Sequence, residues 1–165
     1  KILFSGGHGA MGYSLPAAIG AYYGRKAPVV SLNGDGGFQM NVQEMEFIKR
    51  ERLPISIVVF NNHALGMIRH FQEMYFDSNY TQTISQEGYE VPDLKKISMA
   101  YDFRYVKISR EEDIKGDLFE YNAPQLVEVT IEEPTYVFPK LEFGKPNQDQ
   151  EPLIDRKLYH KLMEL

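Results

Sequence analysis

Apolar positions along the chain fall into two kinds of pattern. Unbroken β-branched runs stand at PVVSLN (28–33) and PISIVVFNN (54–62), the form taken by strands buried on both faces of a parallel sheet. QLVEVTI (125–131) alternates apolar with polar positions, which places it nearer an edge, and FRYVKI (103–108) is a weaker fourth strand. Between the strands the period lengthens. Pro16 suits the first turn of a helix through AAIGAYYG, with Gly24 as its stop. Asn41 and Glu44 have capping-box spacing ahead of VQEMEFIKRER, where Val42, Met45 and Ile48 recur at helical intervals. Ser109 with Glu112 repeats the signature before a helix reaching about Tyr121, and Asp93 is placed to cap DLKKISMAY.

Strands alternating with helices of about ten residues predict βαβ units. The fold class is therefore α/β, a doubly wound, mainly parallel sheet with helices on both faces. Residues 132–151 are rich in Pro, Glu and Gln without periodicity and predict an extended arm, while PLIDRKLYHKLMEL predicts a short amphipathic terminal helix. The expected division is a domain over 1–131 followed by an arm and helix over 132–165.

Composition narrows the function classes. A net charge of −5 without a basic stripe argues against a nucleic-acid partner. The chain has no cysteine, which excludes disulfides and thiolate metal sites and fits a reducing, cytoplasmic compartment. The run ISIVVF (55–60) is far too short to span a bilayer, and no secretory leader opens the chain. KILFS reads as an internal position rather than a natural start.

Two glycine clusters carry the candidate chemistry. Gly7, Gly9 and Gly12 spell G-x-G-x-x-G, and with Asp35 downstream they read as a dinucleotide fingerprint. Asp35, however, lies in NGDGGFQMN, pressed between Gly34 and the pair Gly36-Gly37. Such crowding is useful where backbone must approach a bulky anion. Asn62 follows 27 positions later, across one loop, one helix and one strand. A single right-handed crossover delivers both residues to the carboxyl edge of a sheet. A carboxylate and an amide oxygen there suit a hard cation such as Mg²⁺ completed by phosphate and water. Each piece alone reads as a turn; the two together, each ending a buried strand, favour the metal–phosphate reading. A NAD-binding oxidoreductase leaves Asn61-Asn62 unexplained, and a non-catalytic assembly subunit is a third class.

SGGHGAMGYSLPAAIGA, GDGGFQMNVQEMEF and NNHALGMIRHFQ resemble the motifs of thiamine-diphosphate-dependent enzymes, more narrowly the acetolactate synthase (acetohydroxyacid synthase) branch, from about Leu3 to Pro139. The resemblance implies the pyrophosphate-binding domain of a larger enzyme that also has pyrimidine-binding and central domains. It implies Mg²⁺ on Asp35, Asn62 and the Ala64 carbonyl, with the Gly36, Gly37 and Gly66 amides on the diphosphate. The Gly9 carbonyl and Met11 amide would meet the aminopyrimidine, and the Met11 side chain would bend the cofactor as a wedge. Ala10, Gly34 and Met67 complete the implied cofactor-binding set, and Met67 with Phe71, one turn apart, would line the substrate pocket unless they are core.

The activity so implied is decarboxylation of pyruvate or a similar 2-keto acid and transfer of the two-carbon unit to a carbonyl acceptor. A keto-sugar nucleotide acceptor, a simple decarboxylase or an oxidase are the related alternatives. The family's proton-relay glutamate belongs to the pyrimidine-binding domain, usually of a neighbouring subunit in a homo-oligomer. None of the 23 acidic residues matches it, so the chain alone is expected to be inactive. There are departures. His8 stands where an aliphatic residue is more usual, and His63 and His70 read as loop and helix histidines. Phe71 stands where many acetohydroxyacid synthases have tryptophan, which puts valine and isoleucine biosynthesis in doubt. KILFS leaves no room for the family's preceding strand and loop. VFPKLEFGKPNQDQEPLIDRK is similar to the tails that close over the cleft, and PNQDQEPLIDR is nearer to relatives found with sugar-modifying enzymes.

Overall fold

The computed structural model describes residues 1–132, 134–140, 142–146, 148–150 and 153–164. Glu133, Leu141, Asn147 and Glu151 of the expected arm, and Pro152 and Leu165 of the expected terminal-helix stretch, lie outside the described residues. The chain forms two compact units, Lys1–Pro134 and Thr135–Leu165.

In the first unit, α1 (Ser14–Arg25) leads into β1 (Val29–Gly34), then α2 (Asp35–Met40), α3 (Glu44–Arg50) and β2 (Ile55–Asn61). There follow α4 (Gly66–Tyr75), α5 (Leu94–Ala100), β3 (Arg104–Ile108) and β4 (Gln125–Thr130). The four strands are all parallel, in the order β1-β2-β4-β3. The chain advances twice in one direction and then turns back to fill the gap between β2 and β3. Right-handed crossovers put forward and returning connections on opposite faces, and the packing follows that rule. On one face Leu15, Phe38, Met45, Ile48 and Leu94 from four helices close over Ile55, Ile57, Val59 and Leu126. On the other, the returning segment places Leu118 against Val58, Ile108 and Val127. Each fully buried side chain of this size contributes about 1.5–3 kcal/mol of transfer free energy, so the sheet edge is held by a substantial core.

The α/β parallel sheet is as the sequence predicts, with several local corrections. QLVEVTI is an interior strand, not an edge, and its Gln125 and Glu128 are satisfied inside. Gln125 donates to Ser56 Oγ at 2.7 Å and to the Leu118 carbonyl at 2.8 Å, and Glu128 is bonded to Asn61 and Tyr105. Conversely β1 ends the described sheet, with Val30 46% and Leu32 60% exposed. The helix expected after Ser109 reduces to a 3₁₀ turn at Glu111–Asp113. There the Asp113 carboxylate takes the Ser109 and Arg110 amides, which lowers its pKa. Asn41 does not cap α3; its side chain instead donates to the Gly12 carbonyl at 2.8 Å. Gly24 does not stop α1, which runs to Arg25 and closes on Lys26 in the left-handed region. Asp93 caps α5 as expected, accepting from the Lys96 amide at 3.0 Å.

The second unit contains α6 (Arg156–Met163), the predicted terminal helix. Asp155 caps it through the Leu158 amide, and Arg156 pairs with Asp149 at 2.6 Å.

Candidate functional site

In a parallel pair the register decides which residues leave the sheet together. Gly34 is opposite Phe60, so Asp35 emerges beside the Asn61-Asn62 end of β2. Both arrive at the carboxyl edge, where open α/β folds bind ligands. Asp35 opens α2 and is only 2% exposed. Its Oδ1 accepts from the Gly36 amide at 2.7 Å, while Oδ2 is buried with no hydrogen-bond partner. Burial pushes the Asp35 pKa above the ordinary carboxylate value. Against it pull the Gly36 amide, the Tyr89 hydroxyl, the Ala64 amide and the His63 imidazole. A carboxylate oxygen that has lost its water and gained no donor is an unmet electrostatic demand, and a cation meets it.

The loop after β2 supplies the other candidate ligands. Asn62 Oδ1 accepts from the Ala64 amide at 3.2 Å, the local turn that asparagine favours. An amide oxygen has two lone pairs, so this turn and a cation contact are compatible. His63 adopts a left-handed φ of 52°, and Ala64 bridges to Ile84 on the loop that covers it. Gly66 opens α4, so its amide lies in the first turn, where helical N–H groups have no intrahelical acceptor. Among the described residues no three His, Asp or Glu side chains cluster as a metal site. A cation at Asp35 would therefore rest on one carboxylate plus amide and carbonyl oxygens, a donor set suited to Mg²⁺ that keeps phosphate and water ligands.

The first glycine loop meets the second. A Cβ on Gly36 would lie 2.6 Å from both Met11 Cε and Leu65 Cδ2, so Met11 reaches across to the Asp35 turn. A Cβ on Gly37 would lie 3.7 Å from the Gly12 amide. Gly12 itself has φ +87° and is held against Met40 and Asn41. Met11, Gly36, Gly37, Asp35 and the Asn62–Leu65 loop thus form one cradle. Gly9 and Ala10 line an adjoining hollow of about 590 Å³ that runs along β1 with Leu3, Phe4, Tyr13 and Leu32. Gly34 is exposed at the end of β1, and Met67 stands 67% exposed on α4. Phe71 packs against Tyr75 and Phe76 with tilted rings at separations of 4.8 and 6.1 Å.

Sequence reasoning missed Tyr89. Its hydroxyl accepts from Gln39 Nε2 at 3.3 Å and would lie 3.3 Å from a Cβ on Gly36. Burial and the Asp35 carboxylate push its phenol pKa up. No local pattern in GYEVP marks it, since only the fold of the 76–93 loop brings it to the site. It also missed Thr130, in register with Asn61, whose hydroxyl is buried without a partner.

The fold and the cradle define a parallel α/β module with an acid–amide site at its strand ends. Residues 1–129 match the family described as thiamine pyrophosphate enzyme, C-terminal TPP binding domain. The chain belongs to that family, and the likeness read from the glycine and Asn-Asn motifs is borne out. It is 36% identical over 153 residues to the acetolactate synthase isozyme 2 large subunit of Escherichia coli K12, covering 90% of this chain and 27% of that one. It is 34% identical over 147 residues to the acetolactate synthase large subunit of Lactococcus lactis, covering 87% and 25%. Among solved structures, benzoylformate decarboxylase from Polynucleobacter necessarius superposes with a TM-score of 0.66 at 26% identity, over 79% of this chain and 25% of that one. A thiamine diphosphate-dependent 4-hydroxybenzoylformate decarboxylase of Rhodococcus jostii RHA1 gives 0.64 at 27%, over 75% and 24%. The chain spans about a quarter of the length of these relatives. No described helix is long and apolar enough to cross a membrane.

Proposed function

We propose that the cradle holds the diphosphate of thiamine diphosphate through Mg²⁺, with Asp35, Asn62 and the Ala64 carbonyl as its protein ligands. The observation that carries this reading is the buried, unpartnered Oδ2 of Asp35 at the end of β1. In this reading the amides of Gly37 and Gly66, with that of Gly36 shared with the Asp35 carboxylate, meet phosphate oxygens and offset carboxylate–phosphate repulsion. Gly36 lets the anion come close, because any side chain there would displace Leu65 and Met11. Gly9, Ala10 and Met11 take the pyrimidine end, with the Met11 thioether setting the bend between the two ends; Gly34 and Met67 flank the cofactor.

When bound, the cofactor supplies the electron sink that lets a 2-keto acid lose carbon dioxide. This chain's residues bind and orient it and exclude water from the diphosphate. The enzyme that carries the chain is read as a carboligase that acts on pyruvate or a similar 2-keto acid and passes the two-carbon unit to a carbonyl acceptor, with Met67 and Phe71 at the substrate side. Support comes from the acetolactate synthase relatives. A simple 2-keto acid decarboxylase is the second reading, favoured by the two decarboxylases of the same fold. The proton-relay glutamate comes from a pyrimidine-binding domain, in a cytoplasmic homo-oligomer. This fits a chain that has no cysteine and spans a quarter of its relatives.

The test is a thiamine diphosphate titration of the parent enzyme with Mg²⁺ and with excess chelator. Chelation is expected to weaken binding at least tenfold, and Asn62→Ala to raise the half-saturating Mg²⁺ concentration by a similar factor. Affinity indifferent to both changes refutes the cation reading. Product analysis with pyruvate, alone and with carbonyl acceptors, separates carboligation from simple decarboxylation.

A further inference from the structure

The two asparagines that end β2 do different work. Asn62 lies on the loop, whereas Asn61 is the last residue of the strand and only 2% exposed. Every polar atom of Asn61 beyond its own amide has a defined partner. Its Nδ2 donates to Glu128 Oε1 at 2.8 Å, its Oδ1 accepts from the His63 amide at 3.2 Å, and its carbonyl accepts from the Ile131 amide at 2.8 Å. Glu128 is 8% exposed and sits in the interior strand β4, on the helix-covered face in register with Val59. Its second oxygen accepts from the Tyr105 hydroxyl at 2.5 Å.

A carboxylate in the middle of a sheet is an expensive choice where an apolar residue would pack. It has one property that an apolar or neutral residue lacks: it only accepts. An asparagine amide can otherwise turn over at little cost. Facing an acceptor-only group, it must present Nδ2 to Glu128, which leaves Oδ1 turned toward His63. A flipped amide would set two N–H donors against each other there. His63 needs that acceptor, because a left-handed φ of 52° is a strained state for a residue with a side chain. His63 is followed by Ala64, whose amide closes the Asn62 turn at 3.2 Å.

We propose that Glu128 is the positioning residue of the cation loop: it orients the Asn61 amide, which fixes His63 and so presents Asn62 and Ala64. This rests on the reading of Asn62 and Ala64 as cation ligands. Glu128 touches neither cofactor nor substrate and acts only through Asn61.

The test compares three variants of the full-length enzyme. Glu128→Leu removes the acceptor. Glu128→Gln keeps an oxygen for Asn61, with Tyr105 able to accept from the new amide. Tyr105→Phe removes the other hydrogen bond of the same carboxylate, and so controls for mere loss of a buried polar contact. Two quantities are read: hydrogen exchange at the His63 and Ala64 amides of the cofactor-free enzyme, and the Mg²⁺ concentration that half-saturates thiamine diphosphate binding. Glu128→Leu is expected to raise both by tenfold or more and Glu128→Gln, which donates as well as accepts, by an intermediate three- to tenfold, while Tyr105→Phe stays within about threefold of the parent. Unchanged exchange in Glu128→Leu overturns the positioning role. So does equal loosening in Tyr105→Phe, which marks a general structural effect. Faster exchange with an unmoved Mg²⁺ requirement overturns instead the ligand reading of Asn62, and with it the purpose assigned to Glu128.

Discussion

Asp35 should make the cofactor-free protein less stable than it could be, and Asp35→Asn tests this. The side chain is 2% exposed, one oxygen is satisfied by the Gly36 amide, and the other has no partner. Leaving a buried polar group unpaired costs about 1–3 kcal/mol, more for a charged one. The asparagine keeps an oxygen for Gly36 and carries no charge, so the cost of burying an anion is removed. A gain of about 1–2 kcal/mol in apo stability is expected, which for a chain of this size raises Tm by roughly 3–6 °C. The pH dependence has a definite sign. A folded-state pKa raised above 3.8 means that the native state holds the proton more tightly than the unfolded chain. The penalty is therefore absent below the ordinary carboxylate value, grows as pH rises through the raised pKa, and is full above it. The stabilising effect of Asp35→Asn should be present at pH 7 and vanish toward pH 4. With Mg²⁺ and thiamine diphosphate the order reverses, because the parent gains binding free energy that the variant loses. Thermal unfolding of both proteins at pH 4, 5, 6 and 7, with and without ligand, reads all of this. An apo variant less stable than the parent at pH 7, or one stabilised by Mg²⁺ and cofactor as much as the parent, refutes the reasoning.

The remaining perturbations probe the cradle's walls. Gly12→Ala puts a side chain at φ +87° and 2.7 Å from Met40 Cβ. It should cost about 2 kcal/mol in urea unfolding. Gly36→Ala meets the flexible ends of Leu65 and Met11 and, at 3.3 Å, the Tyr89 hydroxyl, all side-chain atoms, so stability should fall by less than about 1 kcal/mol while thiamine diphosphate affinity drops about tenfold by calorimetry. Tyr89→Phe removes the hydroxyl beside Asp35 and Gln39. It should leave the fold intact in circular dichroism and shift the Mg²⁺ requirement by about threefold, roughly 0.7 kcal/mol. Phe71→Trp enlarges an apolar wall on α4 and should change the ratio of kcat/KM values between pyruvate and longer 2-keto acids, leaving cofactor affinity alone.

What could be read from the sequence divides along a physical line. Strand and crossover positions were legible because β-branched runs and helical spacing are local signals, as β1, β2 and α5 show. That Asp35 and Asn62 follow neighbouring strand ends was legible because one crossover and parallel pairing leave two strand ends little choice of neighbour. What was not legible is whatever depends on a distant partner. Asn41 and Glu44 have capping spacing, yet the Gly12 carbonyl competes for the Asn41 amide and wins. Tyr89 reaches the site only because the 76–93 loop folds back to bridge Ala64 with Ile84.

β4 shows the limit of alternation as a signal. Polar residues at alternate positions ordinarily mark a face open to water, and QLVEVTI read that way. Gln125 and Glu128 are buried instead, three positions apart and so on opposite faces, and each is satisfied from another segment: Gln125 by Ser56 and the Leu118 carbonyl, Glu128 by Asn61 and Tyr105. Gln125 ties the returning segment to the sheet, and Glu128 ties the sheet to the loop of the site. A polar position in a strand therefore records only that the residue is polar. Whether water or a protein group answers that polarity is decided by strand order, and here the reversal that inserts β4 between β2 and β3 makes the answer internal. The feature that misled the edge assignment is the one that fixes the Asn61 amide. Glu128, buried in the interior strand and bonded to the last residue of β2, is thus a sign that the loop after β2 must be held in one orientation.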